Sequence, residues 1–127
     1  ILILLLEDKS YGNSTVKMST RFKIIDIGHK GFSLDRALSE LEVAVSESLY
    51  KGDARVIKII HGHGSGALKK SVRDWCQAQE GRFQAIIYGE DYDLFNHASA
   101  NMRAECGSPY DPDLGRKNSA ITYIWFW

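Results

Sequence analysis

Ile60-His61-Gly62-His63-Gly64-Ser65-Gly66-Ala67-Leu68-Lys69-Lys70-Ser71-Val72 is the stretch on which the reading of the chain turns. Three glycines within five positions cannot be helix, so the helix that follows begins at Ser65 or Gly66 and carries Leu68, Val72 and Trp75 as its buried stripe. Just upstream, Arg55 to Ile60 (RVIKII) is β-branched and unbroken, the pattern of a strand. Strand, glycine loop and helix in that order make half of a parallel α/β unit, and the loop then lies at the strand's carboxyl end, where such folds collect ligands.

Working outward, Arg21 to Ile27 (RFKIIDI) reads as a largely buried strand, and Gly28 to Gly31 as a loop. A helix starts at the N-cap Ser33, with Asp35 in its first turn and Leu34, Ala37, Leu38, Leu41, Val45 and Leu49 on one face; Gly52 ends it. Gln84 to Tyr88 and Ala120 to Trp127 (AITYIWFW) supply a third and a fourth strand. The predicted fold is α/β: a four-stranded, mostly parallel sheet with two main helices in the order β-α-β-α-β-insert-β. The first three strands should share one sheet covered on at least one face. The insert, about residues 89–119, holds a possible helix from Leu94 to Cys106 and then a turn-rich SPYDPDLGRKN.

Residues 1–20 are expected to be an N-terminal extension or linker, and 21–127 the domain. Ile1 to Leu6 is apolar but too short to cross a bilayer and lacks the basic start of a signal peptide. It is either an edge strand or sequence upstream of the true start, a reading that Met18 favours, with Ser10 to Thr20 as polar linker. Lys+Arg and Asp+Glu are both 16 among 127 residues, so affinity for a polyanion has to come from local clustering. Arg21 to Arg82 holds 11 basic and 8 acidic residues, against 3 and 6 from Phe83 onward, which makes the front part mildly cationic. Cys76 and Cys106, far apart, argue against a zinc ribbon or a disulfide framework and fit a reducing cytoplasm.

Two glycine-rich loops at the ends of neighbouring strands bring His29, Lys30, His61 and His63 around one crevice. The second loop also opens a helix, whose free amides and positive dipole end, with Lys69, Lys70 and Arg73, suit a phosphate; Gly31, Gly62, Gly64, Ser65 and Gly66 would supply the backbone cradle. Histidines beside a phosphodiester can move protons near neutral pH, one as base and one as acid. RNA carries its own nucleophile and needs no metal. DNA requires an activated water, for which Mg2+ would be the natural aid, and Asp26 is the one obvious carboxylate for it.

Plainer readings stand beside this one. Glycine-flanked histidines can be merely solvated, Lys69, Lys70 and Arg73 can be the wet face of a helix, and Cys76 a small core residue. His29, His61 and His63 could by type bind zinc, although the sequence shows no residues placed to orient them as ligands. Gly62-x-Gly64-x-x-Ala67 formally matches a dinucleotide fingerprint with Glu90 or Asp91 as ribose partner, but the chain is too short for two mononucleotide halves. A Walker A loop is excluded by the missing Gly-Lys-Ser/Thr.

The segment Ile60 to Val72 resembles the HGxGxGxL signature of Smr (small MutS-related) domains, and Gly31 to Leu38 (GFSLDRAL) resembles their helix-opening xTxEEAL segment. The resemblance spans about 67 residues, Phe22 to Tyr88, and Asn118 to Trp127 is similar to the family's final strand. It implies a four-stranded sheet with two helices, similar to the C-terminal domain of translation initiation factor three. It further implies nucleic-acid binding and, in several branches, endonuclease activity on DNA or RNA. His61, Gly62, Gly64 and Gly66 carry over directly. The family's L-D-L-H-G, however, reads here Ile27-Gly28-His29-Lys30-Gly31, and only a two-residue slip, needing a bulge or a longer loop, lets Asp26 take the aspartate role with His29 close by.

Three functions follow. The first is an endonuclease using His61 and His63, with His29 or Asp26 assisting and Lys30, Lys69, Lys70 and Arg73 holding phosphate. The second is a nucleic-acid-binding module without cleavage, and the third a protein-interaction domain presenting Tyr123 to Trp127. Tyr92, Phe95, His97, Asn101 and Arg103 of the insert either cover the crevice and stack on bases, or the insert is a cap packing Leu94, Phe95 and Met102 on the sheet. Oligomeric state stays open, since an apolar edge strand pairs, is covered or aggregates.

Overall fold

The computed structural model describes residues 21–127 except Glu80, so the readings of residues 1–20 lie outside it. Strand β1 (Phe22–Asp26) leads through a glycine loop into helix α1 (Leu34–Lys51), followed by β2 (Val56–Ile60), α2 (Ala67–Ala78) and β3 (Ala85–Tyr88). The insert contributes a single 3-10 turn (Gly89–Asp91) and a short helix α3 (His97–Glu105), before β4 (Ile121–Trp125) closes the sheet.

Local chemistry sets the boundaries. The Ser33 hydroxyl accepts from the Arg36 amide at the start of α1, and Gly52, in the left-handed region at φ 66°, donates its amide to the Ser48 carbonyl at its end. Asn96 caps α3 by accepting from the Ser99 amide. Ala37, Leu41 and Val45 of α1 are buried, and Leu38 and Leu49 pack beside them. Each large aliphatic side chain withdrawn there contributes roughly 1.5–3 kcal/mol. Leu34, by contrast, stays exposed at the helix start.

The strand order is β1-β2-β4-β3. Three strands run in one direction, as expected, but the pairing is mixed: β1 and β2 are parallel, whereas β4 slots between β2 and β3, antiparallel to both. The aromatic end strand is therefore central. Ile121 to Phe126 are all buried, which removes the edge-strand reading and leaves only Trp127 exposed of the partner surface expected at Tyr123 to Trp127. Strand β1 takes the edge instead, and Ile24 is 59% exposed where burial was expected.

Both faces of the sheet are covered. On one, α1 and α2 enclose Leu41, Ile57, Ile59, Val72 and Ile124. On the other, the insert lays Tyr92, Met102 and Cys106 over Val56, Ile87 and Tyr123, with the Tyr92 ring stacked on Tyr123 at 4.1 Å. Under this cap Lys58 of β2 is buried between Asp111, at 2.6 Å, and Asp113, while the Tyr123 hydroxyl donates to Asp111 at 2.8 Å. The insert is thus a structural cap through Met102 and Tyr92, and Leu94 and Phe95 are not part of it: both are exposed, Phe95 at 95%. Cys76 and Cys106 are buried free thiols. Among the described residues no helix is long and apolar enough to cross a membrane.

Candidate phosphate crevice

Parallel register aligns Asp26 with Ile60, so the loop after β1 and the loop after β2 leave the sheet side by side. Their backbones are in direct contact. The Ile27 and Gly28 amides both donate to the Ile60 carbonyl, and a Cβ on Gly28 would stand 2.4 Å from the His61 carbonyl oxygen, so only glycine fits there. The Asp26 carboxylate folds back over this turn. It accepts from the amides of Gly28 (3.0 Å) and His29 (3.1 Å) and pairs with His29 Nδ1 at 3.0 Å. Partial burial alone would raise the Asp26 pKa, but the His29 ring and the two amides outweigh it and leave the carboxyl below its ordinary value. The turn thus brings Asp26 and His29 into contact. The His29 side chain is 65% exposed, and its Nε2 lies 3.8 Å from where a Cβ on Gly62 would be.

His61 sits lower. It is 3% exposed, and both ring nitrogens are bonded: Nδ1 to the Gly62 carbonyl at 3.0 Å and Nε2 to Thr122 Oγ1 at 2.9 Å. The carbonyl can only accept, so Nδ1 carries the proton and Nε2 accepts from the threonine hydroxyl. The same hydroxyl oxygen accepts from Arg73 Nε at 2.9 Å. Burial is the main force lowering the His61 pKa; the Gly62 carbonyl opposes it, and the charges of Arg73 and Lys69 add to it.

Arg73 was expected to reach phosphate, yet it is turned inward and 8% exposed. Its guanidinium forms a fork with Glu90 (2.9 and 2.7 Å), reaches the Ile121 carbonyl at 3.1 Å and lies 3.9 Å over the Tyr88 ring. The Arg73 bonds hold the Glu90 carboxyl at about 2. Glu90 is thereby committed, which removes it as a ribose partner. Thr122, the hub of this network, carries no signal in the sequence beyond strand propensity; its position follows from pairing opposite Ile59 on one side and Tyr88 on the other.

The second loop forms the floor of the crevice. Gly62, Gly64 and Gly66 all have positive φ, and α2 starts at Gly66 without a side-chain cap. Among the described residues the amides of Leu68 and Lys69 have no hydrogen-bond partner. A hollow of about 440 Å³ is bounded by both loops, with His29, His61 and His63 in its wall. A second, of about 420 Å³, is bounded by His63, Ser65, Lys69 and Lys70, with the edge of Arg73 and the Asp74 carboxylate, paired to Lys70, also in its wall. Lys69 has no ion-pair partner among the described residues, whereas Lys70 is paired with Asp74 at 2.7 Å. His63 is exposed and borders both hollows. Lys30 and Gly31, expected at the same site, are exposed and border neither.

Asp26 makes a poor metal ligand in this setting, because its oxygens already hold His29 and two amides. Among the described residues no three His, Cys, Asp or Glu side chains come together as a metal-binding group.

The Smr domain family model matches residues 29–90, from within the first loop through α1, β2, the second loop, α2 and β3; Asp26 and Gly28 lie just before the match. A solved structure, the Smr domain of Thermus thermophilus MutS2, superposes with a TM-score of 0.54 at 18% identity, covering 83% of this chain and 98% of that one. At this identity the likeness is one of fold. No curated protein matches the chain in sequence.

Proposed function

We propose, for a chain whose residues 29–90 match the Smr domain and whose fold is shared with a solved Smr domain, that it binds nucleic acid by phosphate at the start of α2 and cleaves RNA there. The observation that carries the reading is the position of His63 between the free amides of the helix start and the His29–Asp26 pair. Phosphate would sit on the Leu68 and Lys69 amides with the Lys69 ammonium beside it, a site that favours anions through both dipole and donors.

His29, oriented by Asp26 through Nδ1, has Nε2 facing the loop and acts as the base that takes the 2′-hydroxyl proton. The 2′-oxygen attacks phosphorus, the bond to the 5′-oxygen breaks, and His63 protonates that leaving oxygen. The products are a 2′,3′-cyclic phosphate and a free 5′-hydroxyl. RNA is favoured over DNA because its nucleophile is internal; the Asp26 set does not fit an Mg2+ ion, and no step is routed through one. His61 supports the loop from beneath and does not enter the chemistry.

The test is cleavage of labelled single-stranded RNA, duplex DNA and branched DNA, each with EDTA and with magnesium. EDTA-resistant RNA cutting that disappears in His63→Ala supports the reading. Cutting of DNA alone, dependent on magnesium, contradicts it.

A binding module without cleavage is favoured by one observation. The signature histidine, His61, has both nitrogens occupied within the fold. Salt-sensitive RNA binding with no cutting in any lane is its expected result.

A further inference from the structure

Beyond His63, on the side away from α2, lies a third hollow of about 590 Å³, walled by His63 and by Asp113, Arg116, Lys117 and Asn118 of the insert. Resting on the nucleic-acid reading above, we propose that this loop is a second phosphate-binding arm, so that the crevice holds two neighbouring phosphates of one strand, one on each side of His63.

The charges in the loop are sorted by direction. Asp111 is buried against Lys58 and Tyr123, and Asp113 is bonded to Lys58 and to the Asn118 amide. Arg116 and Lys117 are exposed, and neither has an ion-pair partner among the described residues. Asp113 is near enough to Arg116 to feel its charge, but its oxygens are already held by Lys58 and Asn118. With Lys58 set against the two aspartates, the outward cations leave the loop with a net positive face.

The arm is also fixed in place before any ligand arrives. A Cβ on Gly89 would lie 2.0 Å from the Asn118 carbonyl oxygen, so the loop is pressed against the end of β3. The Gly115 amide donates to the Tyr92 carbonyl at 2.9 Å, and Asn118 Oδ1 accepts from the Ala120 amide at 3.0 Å. Lys117 itself has φ 54°, a conformation that side-chain-bearing residues seldom adopt. A lysine is thus held where glycine would be at ease, beside the one histidine common to all three hollows. Because the two sets of cations border different hollows that meet at His63, the arrangement favours an oligonucleotide, which can place one phosphate in each, over a mononucleotide, which can fill only one at a time.

The experiment measures binding of a labelled, 2′-O-methylated single strand of about eight nucleotides, within the range of single-strand sites, across a salt series. Wild type is compared with Arg116→Ser/Lys117→Gly and with Lys69→Ala, and a nucleoside monophosphate is the short probe. Losing two phosphate contacts should weaken oligonucleotide binding about 25-fold at about 0.1 M salt and reduce the salt slope by about 1.4, with monophosphate binding unchanged. Arg116→Ala alone should give about half of that change in slope. Wild-type affinity and slope in the double variant, with Lys69→Ala weakened, would overturn the second arm while leaving the helix-start site intact. Failure of wild type to bind the strand at all would overturn both.

Discussion

His61 and His29 stand in adjacent loops at the same end of two parallel strands, yet one ring is buried with both nitrogens bonded and the other is mostly exposed with a single carboxylate partner. The difference comes from what lies beneath each. Under the loop after β2 runs the central strand β4, whose Thr122 hydroxyl closes a chain from Arg73 to His61. The loop after β1 leaves an edge strand, and beyond its amide bonds to the Ile60 carbonyl the His29 ring has only Asp26 to hold it. A ring locked between two partners keeps one tautomer and sets the loop's shape. A ring with one nitrogen free can exchange a proton with a ligand.

The widest separation between the two should appear in catalysis. His29→Ala and His63→Ala are each expected to slow RNA cleavage by about 10²–10⁴-fold, the usual size of a general acid or base contribution. Their unfolding free energies should stay within about 0.5 kcal/mol of wild type, because both side chains are exposed. Equal cleavage by His29→Ala would break the comparison. His61→Ala should do the reverse in stability, losing about 2–4 kcal/mol in denaturant unfolding, since it leaves the Thr122 hydroxyl proton without an acceptor and the Gly62 carbonyl without its donor, and opens a small void.

Acid sharpens the contrast. Folding lowers the His61 pKa, so below its ordinary 6.5 the unfolded chain takes a proton that the folded one refuses. This stabilisation is complete above 6.5 and fades as pH falls, and His61→Ala should flatten that part of the profile. Glu90 acts lower down: its pKa is depressed from 4.5 to about 2, so its contribution is whole above 4.5 and is lost on the way to 2. With Glu90 a third exposed, solvent screening holds that loss to about 1 kcal/mol, readable as the difference between wild type and Glu90→Gln. The smallest effect belongs to Lys70→Ala. Its side chain is exposed and paired with Asp74, so oligonucleotide binding should weaken less than in Lys69→Ala.

What could be read from the sequence was local. Ser33 and Gly52 bracket α1 because capping depends on neighbours a few residues away, and the glycine spacing after Ile60 fixes where α2 begins. The glycine turns ahead of α2 and the place of Lys69 in its first turn were legible for the same reason. The position of β4 was not, since pairing order depends on contacts across the whole chain, and an apolar run reads alike at an edge and at the centre. Arg73 looked like a surface cation because its partners, Glu90, Ile121 and Thr122, are 17 to 49 residues away. The burial of His61 was hidden in part for that reason too: one of its partners is the next residue, the other 61 residues on. The adjacent Arg116 and Lys117 in a turn-rich segment were a visible signal, but only the fold shows that they face His63 across a hollow.

The most direct test follows the imidazole rings by NMR while a non-cleavable RNA strand is added. The His29 and His63 ring signals should move with the ligand, while His61 stays in its Nδ1-protonated tautomer with its shifts little changed. A His61 ring that responds as strongly as the other two, or that changes tautomer on binding, would contradict the division between the supporting histidine and the open pair.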